Sequence, residues 1–542
     1  MTATENMSKV PLPPMYYNLW GVPEEAKPLS EDIKKLLMSV FGISGDVTPN
    51  LDSSQVKLEE SRISAEHRAG LAKIVGEEYV STEHEQRLRR AAGKSSADQL
   101  FFASGKTVPA PDAVVAPANE DELLAILQYC SQEGIAVVPF SGGTSVVGGL
   151  RPLRGKFSSV ISVDMARINQ LISIDEQSMT ATFGAGIPGP EAEKLLHEKG
   201  YQIGHLPQSF PYAVLGGYAA TRSSGQSSAG YGPFDQMVRH IRMVTPQGIW
   251  ESSKAPFSAA GPDLRQLIIG SEGTFGIISE VTVNIHPVRE TVRHEAFVFP
   301  DFATGAEALR KVTQAGTGVT VLRLSDEIES AMNLATVDDL GSDEKVGGCL
   351  AITMYEGTEE HARLAHEETR NIMLANGATS LGAGPAEEWE KNRFNAPSLR
   401  DSLIVNEILS DTCETATDWS NLINLKAKVT EKMVARLTKG GKPALVMCHI
   451  SHVCHAGASL YFTFVAKQDE DPVAQYFDAK QGLLDAIEEV GGTVSHHHAV
   501  GTDHLSGMRW EIGDLGVTVL QSVKDALDPA GIMNPGKLIP QD

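Results

Sequence analysis

The 542-residue sequence is poor in cysteine, in basic residues and in long apolar runs. Five cysteines are too few for a disulfide framework in a chain of this length. The 46 Lys and Arg against 69 Asp and Glu give a net charge of −23, which disfavours nucleic acid as a partner because phosphate binding needs clustered basic residues. No apolar run reaches the roughly 18 residues of a transmembrane helix, and the first residues lack the apolar stretch of a secretory signal. These absences favour a cytosolic, multi-domain enzyme.

Residues 1–104 form a polar first region whose pattern predicts helices. The apolar residues of one stretch follow helical spacing: Ile33, Leu36, Leu37, Val40 and Phe41. Gly42 is placed to end this helix. The stripe favours a helix packed on the body of the protein, and the alternative is a membrane-surface contact that helps a lipidic substrate to enter.

The remaining sequence divides into three parts that differ in their pattern of helices, strands and glycines, and this pattern predicts an α+β fold. Residues 105–288 alternate helices, such as 190–198, with apolar strands at 135–138, 158–163, 178–183, 243–245 and 282–285. Residues 289–490 combine longer helices, at 361–375 and 421–438, with strands at 349–354 and 460–465. The segment 491–542 begins at a new pair of glycines.

Three glycine-rich loops with small hydroxyl residues lie in the second part. They are Gly142-Gly143-Thr144-Ser145, Gly216-Gly217 followed by 221–225, and the loop 270–276. Because glycines let backbone N–H groups close around a phosphate, three such loops indicate one extended, dinucleotide-like ligand. The first loop lacks the Gly-Lys-Ser/Thr of a P-loop. Residues 184–189 spell G-x-G-x-x-G, but Pro188 stiffens the loop and no acid follows about 20 residues on, so we interpret it as a structural turn.

The order of these loops and the tail 527–537 resemble the FAD-binding domain of the vanillyl-alcohol-oxidase, or PCMH-type, flavoprotein superfamily. The resemblance implies a two-subdomain FAD-binding domain over 105–288, an α+β cap domain for the substrate over 289–490, and a return of 491–542 to the FAD domain. Members that tether the flavin at the first loop carry His where this chain has Thr144, so non-covalent FAD is implied. The cofactor-binding residues are then Pro139, Phe140, Ser141, Gly142, Gly143, Thr144, Ser145, Pro207, Ser209, Gly216, Gly217, Thr221, Arg222, Ser223, Glu272, Gly273, Thr274, Gly276 and Ile278.

Within the superfamily, the chain resembles the alkyldihydroxyacetonephosphate synthase family over nearly its whole length. The opening YYNLWG, the pair Arg400-Asp401, the strand 460–462 and the run 495–498 carry this resemblance. It implies that Tyr461 is the catalytic acid/base, that His496, His497 and His498 are catalytic, and that Arg323 and Arg400 bind the substrate's phosphate. The implied reaction exchanges the acyl group of an acyl-dihydroxyacetone phosphate for a long-chain alcohol through a flavin N5 adduct. The product is an ether lipid precursor, with no net redox change.

The chemistry of Tyr461 is compatible with this role. On an extended strand, Tyr461 shares one face with Thr463 and Val465. It could then move a proton if its neighbours lower its pKa. The alternative is a core tyrosine with a satisfied hydroxyl.

The histidines and arginines also admit two interpretations. Along an extended chain His497 points away from His496 and His498, so we expect no metal site there, and proton handling with anion contact suits the triplet better. Arg323 and Arg400 could be surface ion pairs, although two arginines near a phosphate would supply bidentate bonds. We interpret a second group with metal-like residues as strand residues because its spacing matches no zinc template: Cys448, His449, His452, Cys454 and His455.

Two features depart from the synthase pattern. The family usually reads Gly-Val-Gly-Lys after the triplet, whereas this chain reads Ala499-Val500-Gly501-Thr502, so a basic residue near the substrate is missing or replaced. The chain ends without the Ser-Lys-Leu peroxisomal signal. Both features fit a bacterial-type member. We therefore expect a cytoplasmic location, a lipid or other small-molecule substrate, peripheral membrane contact and a homodimer.

Two other functions remain open from the sequence. The first is an FAD oxidase or dehydrogenase of a 2-hydroxy acid or alcohol, because the flavin domain is common to both functions and only the cap residues discriminate. The second is a non-catalytic flavin-binding or lipid-carrying protein. The presence of Tyr461 and all three histidines disfavours this second function.

Overall fold

The computed structural model describes residues 8–26, 28–48, 50–252, 255–335 and 347–541. Residues 1–7, which belong to the stretch tested for a secretory signal, and residue 542 lie outside the described residues. Three larger sheets, each covered by helices, make up the fold, so the predicted α+β class is confirmed. In the described ranges no helix combines the length and the apolar character needed to cross a membrane.

The first sheet leads into the first glycine loop. Its strands, in spatial order, are Val80–Ser81, Ala113–Val115, Ser159–Asp164 and Ile135–Phe140. The last three run parallel and are buried, which explains the apolar runs at 135–138 and 158–163 that predicted two of these strands. The loop Ser141 to Ser145 therefore starts at the carboxyl end of a buried parallel strand, where open sheets commonly bind ligands.

The second sheet is antiparallel and receives the third glycine loop. Its strands, in spatial order, are Leu171–Asp175, Thr180–Gly184, Ile277–Asn284, Val238–Thr245 and Gly248–Glu251. The three strands predicted for this region are confirmed with shifted bounds. The turn 184–189 leads into the helix Gly189–His197, and Gly186 packs closely on the backbone, since a Cβ there would lie 1.9 Å from the carbonyl oxygen of Met165. A separate pair joins Tyr201–Gln202 to His286–Pro287.

The third sheet has seven antiparallel strands and forms the wall opposite the glycine loops. In spatial order they are Thr379–Gly382, Thr291–Phe299, Cys349–Gly357, Val321–Ser325, Ala444–Val453, Gly457–Lys467 and Ile408–Asp418. One face packs on helices through buried residues such as Leu460, Phe462 and Phe464. The alternate residues Tyr461, Thr463 and Val465 face a cavity, so the predicted division of this strand into two faces is confirmed.

Helices cover the outer faces of the sheets and close the chain. The α-helices are Glu31–Phe41, Ala65–Val75, His84–Leu88, Ser96–Ala103, Glu120–Glu133, Gly189–His197, Leu215–Ala220, Ser228–Tyr231, Phe234–Met237, Arg265–Ile268, Phe302–Ala315, Glu327–Ala335, Glu359–Ala375, Gly384–Asn392, Ala396–Ile404, Leu422–Leu437, Pro472–Val490 and Met508–Leu527. The last helix packs on the second sheet through Met508 and Val517. The domain boundaries at 104, 288 and 490 stay predictions.

The apolar stripe near the N-terminus lies on the helix Glu31–Phe41, and Gly42 ends it in the left-handed conformation at φ +62°. Leu37 and Phe41 are buried against the third sheet, as a helix packed on the body requires. Leu36, however, is 60% exposed, and Ile33 and Val40 are also exposed. Packing on the body therefore accounts for only part of the stripe.

Candidate active site

A single cavity lies between the glycine loops and the third sheet. Most of the residues predicted to hold the cofactor line it: Pro139, Phe140, Ser141, Gly142, Gly143, Thr144, Ser145, Pro207, Ser209, Gly216, Gly217, Thr221, Ser223, Glu272, Gly273, Gly276 and Ile278. The predicted residues on its opposite wall are Arg323, Arg400, Tyr461, His497 and His498. Three predicted residues lie behind this lining. Arg222 pairs with Asp235 at 2.7 Å, Thr274 is buried, and His496 packs beside His497.

The glycine loops fit the backbone of an extended ligand because side chains there would collide with the protein. A Cβ on Gly142 would lie 2.4 Å from the carbonyl oxygen of Tyr212. At Gly273, φ is +73° and a Cβ would lie 2.6 Å from Pro139. Such cradles leave backbone N–H groups open to a phosphate or a ring edge, which is what FAD requires.

One buried carboxylate gathers the histidine triplet. Glu414 lies on the strand Ile408–Asp418 and is 0% exposed. Its oxygens accept hydrogen bonds from the backbone N–H groups of His496 (2.7 Å), His497 (3.1 Å) and His498 (2.9 Å), and from the Ser495 hydroxyl (2.8 Å). The triplet therefore forms a compact turn, and the expectation that it is extended is wrong. The Nδ1 atoms of His496 and His497 lie 3.1 Å apart, where an extended chain would separate them.

Burial keeps these imidazoles neutral while Glu414 stays ionised. Desolvation lowers the pKa of His497 to about 4 and holds the pKa of His498 well below its usual range. Although burial opposes ionisation of Glu414, its pKa is held well below the usual range, and while the imidazoles are neutral the backbone N–H donors of residues 496–498 stabilise the carboxylate. Neutral imidazoles can accept protons, so the turn places bases beside the cavity.

Two further histidines, His449 and His452, lie on the strand Ala444–Val453, as interpreted from the sequence, and also line the cavity. His449 pairs in register with Tyr461, and the two rings stack with centroids 4.8 Å apart. His452 is buried and lines the cavity, with its ring 4.7 Å from that of His497. The signal in the sequence is the two-residue alternation at 447–451, where Met447, His449 and Ser451 face the cavity and the residues between them are buried.

Tyr461 is held as a neutral phenol. Burial raises its pKa to about 12, and its hydroxyl donates to Thr412 Oγ1 at 3.0 Å. Neighbours do not lower this pKa, because desolvation outweighs their effect. The rings of His449, His497 and His498 all lie within 5.9 Å of the phenol ring, so a proton donor and neutral acceptors share one site.

The two predicted arginines differ in how completely they are paired. Arg323 donates to Glu329 at 2.7 Å, and Glu329 also pairs with His449 at 3.0 Å. Arg400 is 8% exposed and forms ion pairs with Asp411 at 3.5 Å and with Asp401 at 3.6 Å, but its Nε and Nη2 atoms find no hydrogen-bond partner within the described ranges. Buried donors without partners are costly, which indicates that an anionic group in the cavity would satisfy Arg400.

The departure after the triplet has a structural basis that differs from the expectation. Ala499 adopts φ +73°, a conformation that favours the glycine usual in the family. Thr502 does not line the cavity; it accepts a hydrogen bond from Arg151 at 2.7 Å, and Arg151 also pairs with Asp98 and Asp503. Thr502 therefore belongs to a buried ion-pair network behind the cavity wall.

Comparisons with known proteins agree with this geometry. A family model described as "FAD binding domain" matches residues 111–253, and one described as "FAD linked oxidases, C-terminal domain" matches residues 288–538. The site and these matches define an FAD-linked flavoprotein, and FAD is its cofactor.

Similar proteins show to which family of FAD-linked flavoproteins the chain belongs. An alkyldihydroxyacetonephosphate synthase of Dictyostelium discoideum is 32% identical over 99% of this chain and 89% of its own length. Another, from Trypanosoma brucei brucei, is 30% identical over 95% of this chain and 88% of its own length. A solved alkyldihydroxyacetonephosphate synthase structure gives a TM-score of 0.83 at 29% identity and covers 97% of this chain and 99% of that one. The chain belongs to the alkyldihydroxyacetonephosphate synthase family of PCMH-type flavoproteins.

We predict that the buried histidines lower the stability of the protein as the pH falls below about 6.5. His497, with a folded pKa of about 4, stays neutral while the unfolded chain takes up a proton below about pH 6.5, so stability falls between these values. Each such histidine contributes up to about 1.4 kcal/mol per pH unit in this window. Burial raises the pKa of Glu272 to about 7, so the folded state takes up one proton there in the same pH range. This uptake stabilises the folded state and partly offsets the loss from the histidines. Thermal unfolding of the holoprotein between pH 7.5 and pH 5 measures the slope.

The variant His497→Asn should make stability depend less steeply on pH, because it removes one buried neutral imidazole. The number of protons taken up on unfolding should fall by up to one. His455→Asn is the matched control because His455 is exposed on the turn after the same strand as His449. Equal slopes for wild type and His497→Asn would contradict the prediction.

Proposed function

We propose that this protein is an FAD-dependent synthase that exchanges the acyl group of an acyl-dihydroxyacetone phosphate for a long-chain alcohol. The observation that carries the proposal is one cavity that joins flavin-type glycine loops to a neutral phenol, neutral imidazoles and a partly unpaired buried arginine. The relatives that share nearly the full length bear the name of this synthase. We further propose the cytoplasm as its compartment.

The phosphate of the substrate would bind at the arginines. Nε and Nη2 of Arg400 lack hydrogen-bond partners in the described part of the chain, and ion pairs with Asp401 at 3.6 Å and Asp411 at 3.5 Å fix the position of the guanidinium. Arg323 adds positive charge while Glu329 orients it. Two such donors satisfy a phosphate through charge-assisted bonds, whereas a neutral alcohol substrate would leave them unpaired.

Proton transfer would fall to the tyrosine and the histidines. FAD, when bound at the glycine loops, supplies the reactive ring against which the ketose carbon is activated. Tyr461 holds a proton on its phenol oxygen, and His497 and His498 hold lone pairs that accept one. The carboxylate leaves as a fatty acid, the alcohol oxygen forms the new bond to the same carbon, and the oxidation state of the substrates does not change.

The apolar part of the cavity suits the two long chains. Met447 and Val465 of the third sheet line it together with Leu403. Met332 and Leu399 also line it and are 49% and 48% exposed, so the apolar lining continues to the surface. These residues would give a hydrocarbon chain an apolar route into the cavity.

An FAD oxidase or dehydrogenase is the second candidate function. The match to "FAD linked oxidases, C-terminal domain" over residues 288–538 favours it, since this segment contains the histidines and Tyr461. Neutral imidazoles could equally accept the proton of a substrate hydroxyl. Net bleaching of the flavin by a 2-hydroxy acid or alcohol alone would identify this function.

The first test uses the purified, FAD-loaded protein without oxygen. We expect palmitoyl-dihydroxyacetone phosphate to change the flavin spectrum and, with hexadecanol, to release palmitate and form the ether. Tyr461→Phe should lower kcat roughly 100-fold or more, because general acid–base catalysis contributes about 10²–10⁴-fold, while FAD content stays unchanged. Tyr201→Phe, on the short strand pair Tyr201–Gln202 with His286–Pro287, is the control. If Tyr461→Phe forms the ether as fast as wild type, Tyr461 takes no part in the mechanism. If wild type forms no ether, the synthase proposal is refuted.

We also propose peripheral contact with a lipid surface at the cavity mouth. The helix Glu31–Phe41 packs beside Leu403, Met447 and Val465, and its outer residues Leu36 and Val40 are exposed. Because the net charge is −23, apolar contact and not attraction to anionic lipids would drive binding.

The double variant Leu36→Asp with Val40→Asp should reduce cosedimentation with neutral phosphatidylcholine vesicles. Leu515→Asp, 77% exposed on the last helix, should not. Equal cosedimentation of both variants would contradict this contact.

A homodimer, which the family resemblance implies, completes the proposal. Light scattering of the FAD-loaded protein should give twice the chain mass of 58.2 kDa. A mass equal to one chain at micromolar concentration would refute it.

A further inference from the structure

Three histidines from two parts of the chain converge on one point beside the cavity. One ring nitrogen from each of His452, His496 and His497 lies within 4.8 Å of the other two. His452 comes from the strand Ala444–Val453, whereas the other two come from the turn that Glu414 gathers. Neither the flavin loops nor the proposed phosphate site requires this convergence.

The distances approach those of a metal centre. Bonds of 2.0–2.1 Å from a tetrahedral ion to imidazole nitrogens place the nitrogens about 3.3 Å apart. The Nδ1 atoms of His496 and His497 already lie 3.1 Å apart. The three ligand nitrogens lie within 4.8 Å of one another, so the remaining approach to a metal ion is a shift of about 1.5 Å or less.

The surroundings favour an ion over a proton. The hydroxyl oxygens of Ser228 and Ser224 lie 2.8 and 3.2 Å from Nδ1 of His452, so these hydroxyls orient the ring and leave its Nε2 atom as the ligand. Burial lowers the pKa of all three imidazoles, and a neutral imidazole is the form that binds metals. The carboxylate of Glu414, 3.7 Å from Nδ1 of His497, supplies negative charge next to the cluster.

We propose that His452, His496 and His497 form a binding site for one divalent transition-metal ion, such as Zn²⁺ or Co²⁺, with the cavity providing the route of entry. Imidazole ligands suit these ions, and the fourth position opens toward the cavity for water.

The ion acts as an inhibitor, a consequence that rests on the proposed synthase function. Its bond to His497 occupies the lone pair that would accept a proton, and its charge disfavours any further positive charge beside Tyr461. Removal of the ion by a chelator restores the free imidazole. The site therefore makes turnover sensitive to transition metals at the catalytic turn itself.

The test uses the FAD-loaded full-length protein, first stripped with EDTA and then dialysed. Isothermal titration with ZnCl₂ and the visible d–d absorption of added CoCl₂ measure binding without any substrate. We expect one ion per chain for wild type. His496→Asn and His452→Asn should each weaken binding roughly 10-fold or more, as loss of a metal-site interaction does. His455→Asn, exposed on the adjacent turn, should bind as wild type does.

Several outcomes would overturn the proposal: no ion bound by wild type, equal binding by all variants, or equal loss in His455→Asn. FAD content and the thermal midpoint of each variant report whether it is folded, and the wild-type stoichiometry decides the site without any variant. Under the ether-forming assay, ZnCl₂ should abolish turnover and EDTA should restore it; stimulation by ZnCl₂ would refute the inhibitory role. If no ether forms at all, the synthase proposal fails. The titration still tests metal binding, because it needs no substrate.

Discussion

The site depends on the buried carboxylate of Glu414. Four hydrogen-bond donors from residues 495–498 converge on its two oxygens, so a segment without regular secondary structure is held as firmly as a strand. Charge-assisted bonds to backbone N–H groups are roughly twice as strong as neutral ones, and a buried carboxylate without them would not stay ionised. Because three of the four donors are backbone N–H groups, the imidazoles do not have to hold the carboxylate. The rings of His497 and His498 line the cavity, and the ring of His496 packs beside His497.

The register of the third sheet converts this local anchor into a catalytic arrangement. Glu414 lies opposite Tyr461 on one neighbouring strand, and His449 lies opposite Tyr461 on the other. Residues directly opposite in an antiparallel pair share a face, so the carboxylate, the phenol and the imidazole must meet at one level of the sheet. At the flavin side, Glu272 accepts from the backbone N–H groups of Val500 (2.8 Å) and Gly501 (2.7 Å), which ties the end of the same turn to the third glycine loop. Two carboxylates thus fix the turn between cofactor and substrate walls.

The sequence predicts what depends on local periodicity and spacing, and it misses what depends on contacts between distant segments. The strand face of Tyr461 follows from alternation, and the glycine loops follow from backbone requirements, so both are found along the chain. Glu414 carries no such signal because its partners lie about 80 residues away, and the compact turn at 495–498 exists only because of it. His452 is missed for the same reason, since its neighbours His496 and His497 come from another segment. His449 was within reach, because the alternation at 447–451 places it on the face of Tyr461.

Burial decides how the acid and the bases divide the chemistry. Desolvation raises the pKa of Tyr461 and lowers that of the histidines, so at neutral pH the phenol keeps its proton and the imidazoles lack one. A site that only removed protons would need the bases alone. An exchange of one oxygen substituent for another needs a proton taken from the entering alcohol and one given to the leaving carboxylate, and these opposite needs are met by groups whose rings lie within 5.9 Å. The presence of a protonated phenol and neutral imidazoles in one cavity therefore suits group exchange, which needs both a proton donor and a proton acceptor.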